Sequence, residues 1–207
     1  MISHELKCIF IHIPRTGGSS IEQALIKQDW WKVDPTTKHL FASQARKIYA
    51  DYWDDYFKFS FVRNPYSRML SIANWRLMSN MYYGKRPVNE MLSSEHIEHY
   101  KKTFGHPVLL EYDYRFYKRK EIENDIHKDN CVYENILDEP IDYIGKLETI
   151  EKDLNNICTI LGKKGTTLLK IGSRIKHENI LSLETKLRIN EIYDTDFLKF
   201  SYNKEYI

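Results

Sequence analysis

CIFIHIPRTGGSS, residues Cys8 to Ser20, is the stretch from which the fold can be read. The apolar run Lys7 to Ile13 predicts a central parallel strand, because a strand buried on both faces has no need of polar alternation. It stops at Pro14. Beyond it Ile21, Ala24 and Leu25 carry helical spacing within Ser19 to Gln28, so the order is strand, loop, helix. Gly17 and Gly18 leave the backbone open to close approach, and Thr16, Ser19 and Ser20 offer hydroxyls. The following helix presents its positive end, and Arg15 adds a full charge. Such a loop suits an anion. A tight strand-to-helix turn without a ligand would use the same glycines, and the loop alone leaves both readings open.

Composition bounds the rest. A chain of 207 residues with 42% hydrophobic and 29% charged residues suits one soluble globular domain, 1–207, with a sizeable core. A net charge of +2 argues against a nucleic-acid reader and makes any cationic site local. Fifteen tyrosines and four tryptophans provide core packing and flat surface suited to sugars or nucleotides. Cys8, Cys131 and Cys158 are odd in number and far apart, which reads as reduced, buried thiols. MISHELKCIFIHIP has no basic leader region or small-residue cleavage site, and no apolar run approaches about 18 residues. The expectation is a cytoplasmic protein with no transmembrane segment.

No internal repeat or low-complexity linker interrupts the chain. Ser43 to Tyr49 reads as a short helix and Tyr56 to Val62 (YFKFSFV) as a second strong strand. Pro65 suits a first helical turn, with Met69, Leu70, Ala73 and Leu77 on one face of Tyr66 to Met78. Asn80 to Asp129 is polar and reads as helices mixed with an irregular insertion. Ile141 to Leu147 is a strand candidate, and Thr149 to Leu161 a helix that stops at Gly162. Ser182 opens a last helix to Tyr193, with Thr185 at its third position. Alternating strands and helices predict a three-layer α/β sandwich with a central, mainly parallel sheet. Ligands of such sheets bind beyond the carboxyl ends of the strands, where the opening loop lies.

A nucleoside-triphosphate loop would need G-x-x-x-x-G-K-[ST] and a carboxylate for magnesium. Here the cation precedes the glycines, and FKFSFV runs into Arg63 and Asn64. An ATP-dependent P-loop kinase is therefore the second choice. A noncatalytic nucleotide-binding protein of the same fold also fits, and only turnover separates it from an enzyme.

IFIHIPRTGGSSIEQAL together with YFKFSFVRNPYSRMLSIANW resembles the carbohydrate sulfotransferases that use 3′-phosphoadenosine 5′-phosphosulfate (PAPS), in particular the group around the 2-O-sulfotransferases and their bacterial relatives. DYIGKLETIEKDLNNI and YDTDFLKFSY extend the likeness over most of the chain, with residues 80–138 the least similar. The resemblance implies a P-loop-like sulfotransferase fold, PAPS as donor, PAP (3′-phosphoadenosine 5′-phosphate) as product and no metal. The acceptor would be a hydroxyl on an oligo- or polysaccharide.

It also implies roles for residues. The 5′-phosphosulfate maps onto Arg15, Thr16, Gly17, Gly18, Ser19 and Ser20, with Arg15, where the family usually has lysine, neutralising the leaving phosphate oxygen. Arg63 and Ser71 map onto the 3′-phosphate site. Arg68, between them, reads as a solvated charge, a salt bridge or a ligand contact. An acceptor hydroxyl needs a base, and His39 in TTKHLFASQARKIY stands where similar enzymes carry their catalytic histidine. Glu22 or a histidine of the middle segment is next in line. His12 reads as packed or structurally hydrogen-bonded, and His96, His99, His106 and His127 as surface residues. No spacing of histidine and cysteine suggests zinc. The basic stretch Lys170 to Asn179 reads as solvated surface, as a cover for the nucleotide or as a contact for an anionic acceptor. Tyr112 to Lys120 reads as an acceptor wall or a lysine-guarded strand edge.

Overall fold

A computed structural model describes residues 1–78, 95, 98, 133–164, 166, 168 and 181–205. One four-stranded sheet organises the first part. Strands β1 (Ile2–Ser3), β2 (Cys8–Ile11), β3 (Phe57–Val62) and β4 (Tyr143–Lys146) lie in that order. β2, β3 and β4 are parallel, with Phe10 opposite Phe59 and Phe61 opposite Gly145, whereas β1 is an antiparallel edge. All four residues of β2 are buried, as its unbroken apolar run predicts. β1 has no counterpart in the sequence reading, because two residues carry no periodicity and pair only through their neighbour.

Each strand of the parallel pair β2 and β3 is followed by a helix, as expected. Helix α1 (Gly18–Ile26) follows β2, the short α2 (Trp30–Val33) and a 3₁₀ turn (Pro35–Thr37) follow it, and then come α3 (Ala42–Ile48) and α4 (Ala50–Trp53). Pro65–Met78 forms α5, Tyr133–Ile136 α6, and Ile150–Ile160 α7, which ends before Gly162. Leu183–Ile192 is α8 and Asp194–Lys199 is α9. Ser182 caps α8, its hydroxyl accepting the Thr185 amide at 3.2 Å.

These residues divide into two compact units, Met1–Arg63 with Asn135–Ser173, and Asn64–Glu134 with Arg174–Ile207. The core of the first is built on one face of the sheet. Cys8 and Phe10 of β2 and Phe59 and Phe61 of β3 meet Ile21, Ala24 and Leu25 of α1 and Leu154, Ile157 and Cys158 of α7. Phe10 and Phe59 stack at 4.9 Å between ring centres. Side chains of this kind each gain about 1.5–3 kcal/mol by full burial, which is what anchors α1, and the loop before it, to the sheet.

In the second unit Asn64 caps α5 by accepting the Tyr66 amide at 3.0 Å, with Pro65 at the first helical position. The Tyr66 ring packs on Phe197 at 5.1 Å, and its hydroxyl bonds Asn190 and accepts the Glu205 amide. Arg68 is only 1% exposed, its guanidinium 5.0 Å from the centre of the Tyr133 ring. The expectation of a solvated charge there is corrected: a cation on an aromatic face loses less on desolvation than an ammonium would. Tyr112 to Lys120, Lys170 to Asn179, Asn80 to Asp129, Cys131, His96, His99, His106 and His127 lie outside the described residues, apart from Glu95 and Glu98.

Candidate active site

The chain leaving β2 is tied down through its carbonyls. Ser60 donates its hydroxyl to the Ile11 oxygen at 2.7 Å, His39 its Nδ1–H to the His12 oxygen at 2.8 Å, and Thr16 its hydroxyl to the Ile13 oxygen at 2.9 Å. Arg63 Nη1 donates to the Arg15 oxygen at 3.4 Å. Four carbonyls in five residues thus accept from side chains, and one of those side chains, Ser60, comes from the neighbouring strand β3. The loop also carries two left-handed residues, Arg15 at φ 69° and Gly17 at φ 88°. For Arg15 that conformation costs roughly 1–2 kcal/mol, and residues held in this way cluster at functional sites.

Parallel pairing explains the company the loop keeps. β2 and β3 end at the same edge of the sheet, so Arg63, one residue past β3, reaches the backbone of Arg15. Arg15 and Arg63, singled out separately in the sequence, therefore meet. Ser71 lies in the second unit, half-buried on α5. Within the loop Thr16 and Ser20 are buried, and the Thr16 hydroxyl is spent on the Ile13 carbonyl. Ser19 is half-buried and its oxygen accepts from Lys38 Nζ at 3.4 Å.

Gly18 has a neighbour that the sequence did not disclose. A β-carbon there would stand 2.1 Å from Cδ2 and Nε2 of His12, so the imidazole occupies the space that any other residue would need. His12 itself is one residue beyond β2 and buried, and its Nδ1–H donates to Glu22 Oε1 at 2.6 Å. Burial pushes the His12 imidazole below its ordinary value despite the attraction of Glu22, so it is a neutral donor.

Glu22 is 0% exposed, and both of its oxygens are engaged. Oε2 accepts Lys38 Nζ at 2.7 Å and the Trp30 amide at 3.0 Å. Burial alone would raise this carboxyl, but the bonds from His12 and Lys38 outweigh it and bring it down to about 2. A carboxylate held in this way is a poor proton acceptor at neutral pH, which removes Glu22 from the candidates for the base. Lys38 is 1% exposed, also pairs with Asp29, and lies 5.5 Å from the centre of the Trp31 ring. The sequence reading passed over Lys38. Its adjacency to His39 was the available signal, but a lysine in TTKHL is by default a surface charge.

His39 is 6% exposed, and its ring meets those of His12 and Trp31 edge-on at 4.5 and 5.6 Å. A carbonyl can only accept, so the bond to His12 puts the proton on Nδ1 and the lone pair on Nε2. That is the tautomer a general base requires. Among the described residues no group of histidine, cysteine, aspartate and glutamate could hold a metal ion, and no helix is long and apolar enough to cross a membrane.

Comparison with curated proteins and with solved structures finds no match. The profile of one family, described as the sulfotransferase family, matches residues 1–203. That match takes in the loop after β2, the arginine after β3 and the histidine bonded back to the His12 carbonyl, in an α/β protein with a mostly parallel sheet. With nearly the whole length matched, the chain belongs to the sulfotransferase family.

Proposed function

We propose that the protein is a PAPS-dependent sulfotransferase acting on a saccharide hydroxyl. The observation that carries the reading is the hydrogen bond between Arg63 and the Arg15 carbonyl, since it unites the two motifs proposed to hold the two phosphates of one nucleotide. The donor set suits such a group: two guanidiniums and a glycine loop at a helix start are an anion-binding combination.

In this reading Arg15, Thr16, Gly17, Gly18, Ser19 and Ser20 receive the 5′-phosphosulfate. Arg63 takes the 3′-phosphate, and Ser71 is assigned to it from the motif alone. The bound donor supplies the sulfuryl group and keeps the electron pair of the cleaved S–O bond on its phosphate as PAP leaves. Arg15 neutralises that developing charge. His39 Nε2 takes the proton of the acceptor hydroxyl as the acceptor oxygen bonds to sulfur, and Nδ1 stays on the His12 carbonyl. The family and its transfer to a hydroxyl narrow the acceptor no further; the saccharide follows from the likeness to carbohydrate sulfotransferases.

Calorimetry tests the donor. PAP should bind without magnesium and much more tightly than 5′-AMP, and ATP with magnesium should gain nothing over AMP. Radiolabelled sulfate followed from PAPS onto a panel of oligosaccharides tests the transfer. Equal affinity for PAP and AMP would remove the 3′-phosphate assignment.

A further inference from the structure

The segment that delivers His39 is closed at both ends by one side chain. Glu22 Oε2 accepts the Trp30 amide at one end, 3.0 Å away, and the Lys38 ammonium at the other, 2.7 Å away. Inside this loop Trp30 Nε1 donates to Thr37 Oγ1 at 2.9 Å, and Thr37 Oγ1 donates to Asp34 Oδ2 at 2.7 Å. Asp29 binds Lys38 from outside. The other oxygen of Glu22 holds the ring of His12, whose own carbonyl takes the Nδ1–H of His39.

His39 is thus held twice over from Glu22. One route runs through its peptide neighbour Lys38, the other through the residue that accepts its proton. Such a cluster is costly in desolvation, and well-packed apolar residues often serve stability as well or better. Its location gives it a use. It fills the space between the glycine loop, touched through Ser19 and Gly18, and the ring of His39.

We propose that Glu22 is a positioning residue for sulfuryl transfer, clasping the loop 30–38 and, through His12 and Lys38, keeping the lone pair of His39 on Nε2 and aimed at the acceptor. The proposal rests on His39 being the base. It separates Glu22 from donor binding: the carboxylate touches neither Arg15 nor Arg63, and acts on the chemical step through another residue.

The test is a cycle of Glu22→Gln and His39→Ala, with PAP affinity measured beside turnover. Glutamine keeps the shape and an acceptor for the Trp30 amide but loses the charge. Glu22→Gln should lower kcat by about 10- to 100-fold through misplacement of the base, while PAP affinity stays at the wild-type value. In the His39→Ala background it should lower kcat no further. Equal losses in both backgrounds, or a parallel loss of PAP affinity, would overturn the proposal. Imidazole ¹⁵N spectra of the folded wild-type protein supply a readout independent of turnover and of the variant's folding. His39 should be protonated on Nδ1 alone, and in Glu22→Gln or, if that does not fold, Lys38→Met, the Nε2–H form should appear. A wild-type His39 protonated on Nε2, or a tautomer untouched in the folded variants, overturns it. If wild type transfers nothing from PAPS, or His39→Ala turns over normally, the functional reading fails first, and the nitrogen spectra still decide whether Glu22 orients the ring.

Discussion

Gly18→Ala is the sharpest probe of the packing under the loop. Gly18 opens α1 and its φ is not positive, so alanine there meets no backbone strain and, on helix propensity alone, should stabilise. The obstacle is the His12 ring. A β-carbon 2.1 Å from Nε2 and Cδ2 must recede to at least an ordinary contact of 3.4 Å, so ring or helix shifts by roughly 1.3 Å. The ring is tethered at 2.6 Å to Glu22, a bond to a charged group that contributes about 1.5–3 kcal/mol and tolerates little displacement. Overpacking adds about 1–3 kcal/mol, so the loss should be roughly 3–5 kcal/mol, or about 6–20 °C in Tm for a chain of this size. Thermal unfolding followed by near- and far-UV circular dichroism measures it. His12→Ala provides the control: with the ring gone, Gly18→Ala should cost almost nothing, a coupling of the size seen only for residues in contact. A wild-type Tm in Gly18→Ala, or the same loss in both backgrounds, would refute the reasoning and return Gly18 to the reading in which only a ligand needs its bareness.

Arg63→Ala should erase the advantage of PAP over 5′-AMP, a loss of about 1.5–3 kcal/mol or roughly 10- to 150-fold in Kd, with AMP binding little changed; calorimetry reads both. His39→Ala should keep PAP affinity and lose roughly 10²- to 10⁴-fold in turnover, together with the acidic limb of the pH–rate profile, since only the neutral imidazole accepts a proton. Stability should fall on the acid side in two stages, measured by urea unfolding against pH. The unfolded chain protonates His12 first, because its folded value lies below the ordinary 6.5, so the decline begins as pH drops through that value. Glu22 is depressed from 4.5 to about 2, so its contribution is complete above 4.5 and disappears as pH falls to 2. It amounts to about 3 kcal/mol, and Glu22→Gln should flatten the slope in that window.

The sheet and its principal helices were legible because their signals are local. CIFI and FKFSFV are apolar without alternation, Pro65 announces α5, and Ser182 with Thr185 announces α8. The loop and Arg63 were legible for the same reason, as short motifs at strand ends. Their meeting was not, since it depends on β2 and β3 being parallel neighbours. Glu22 shows where local reasoning fails. In the sequence it stands next in line for the base, yet it is a fully buried carboxylate with both oxygens engaged, because its partners come from 10 residues before and 16 after. α2 and the 3₁₀ turn after it, four and three residues long, are too short for any period and owe their shape to caps at Asp29 and Asp34 and to the Glu22 clasp.

The thiols of the core lend themselves to an assay that needs neither substrate nor purification. Cys8 of β2 and Cys158 of α7 lie in the core shared with α1, and burial pushes Cys8 up to about 12. At neutral pH its thiolate, the form that reacts with maleimides and iodoacetamide, is scarce, and reagent reaches the sulfur only when sheet and helices part. In a Cys131→Ser background the rate of alkylation therefore counts openings of the scaffold beneath the loop. Variants could be ranked in crude lysate by how fast they take up label, and a ligand that seats against the loop would announce itself by slowing the uptake, whatever its identity.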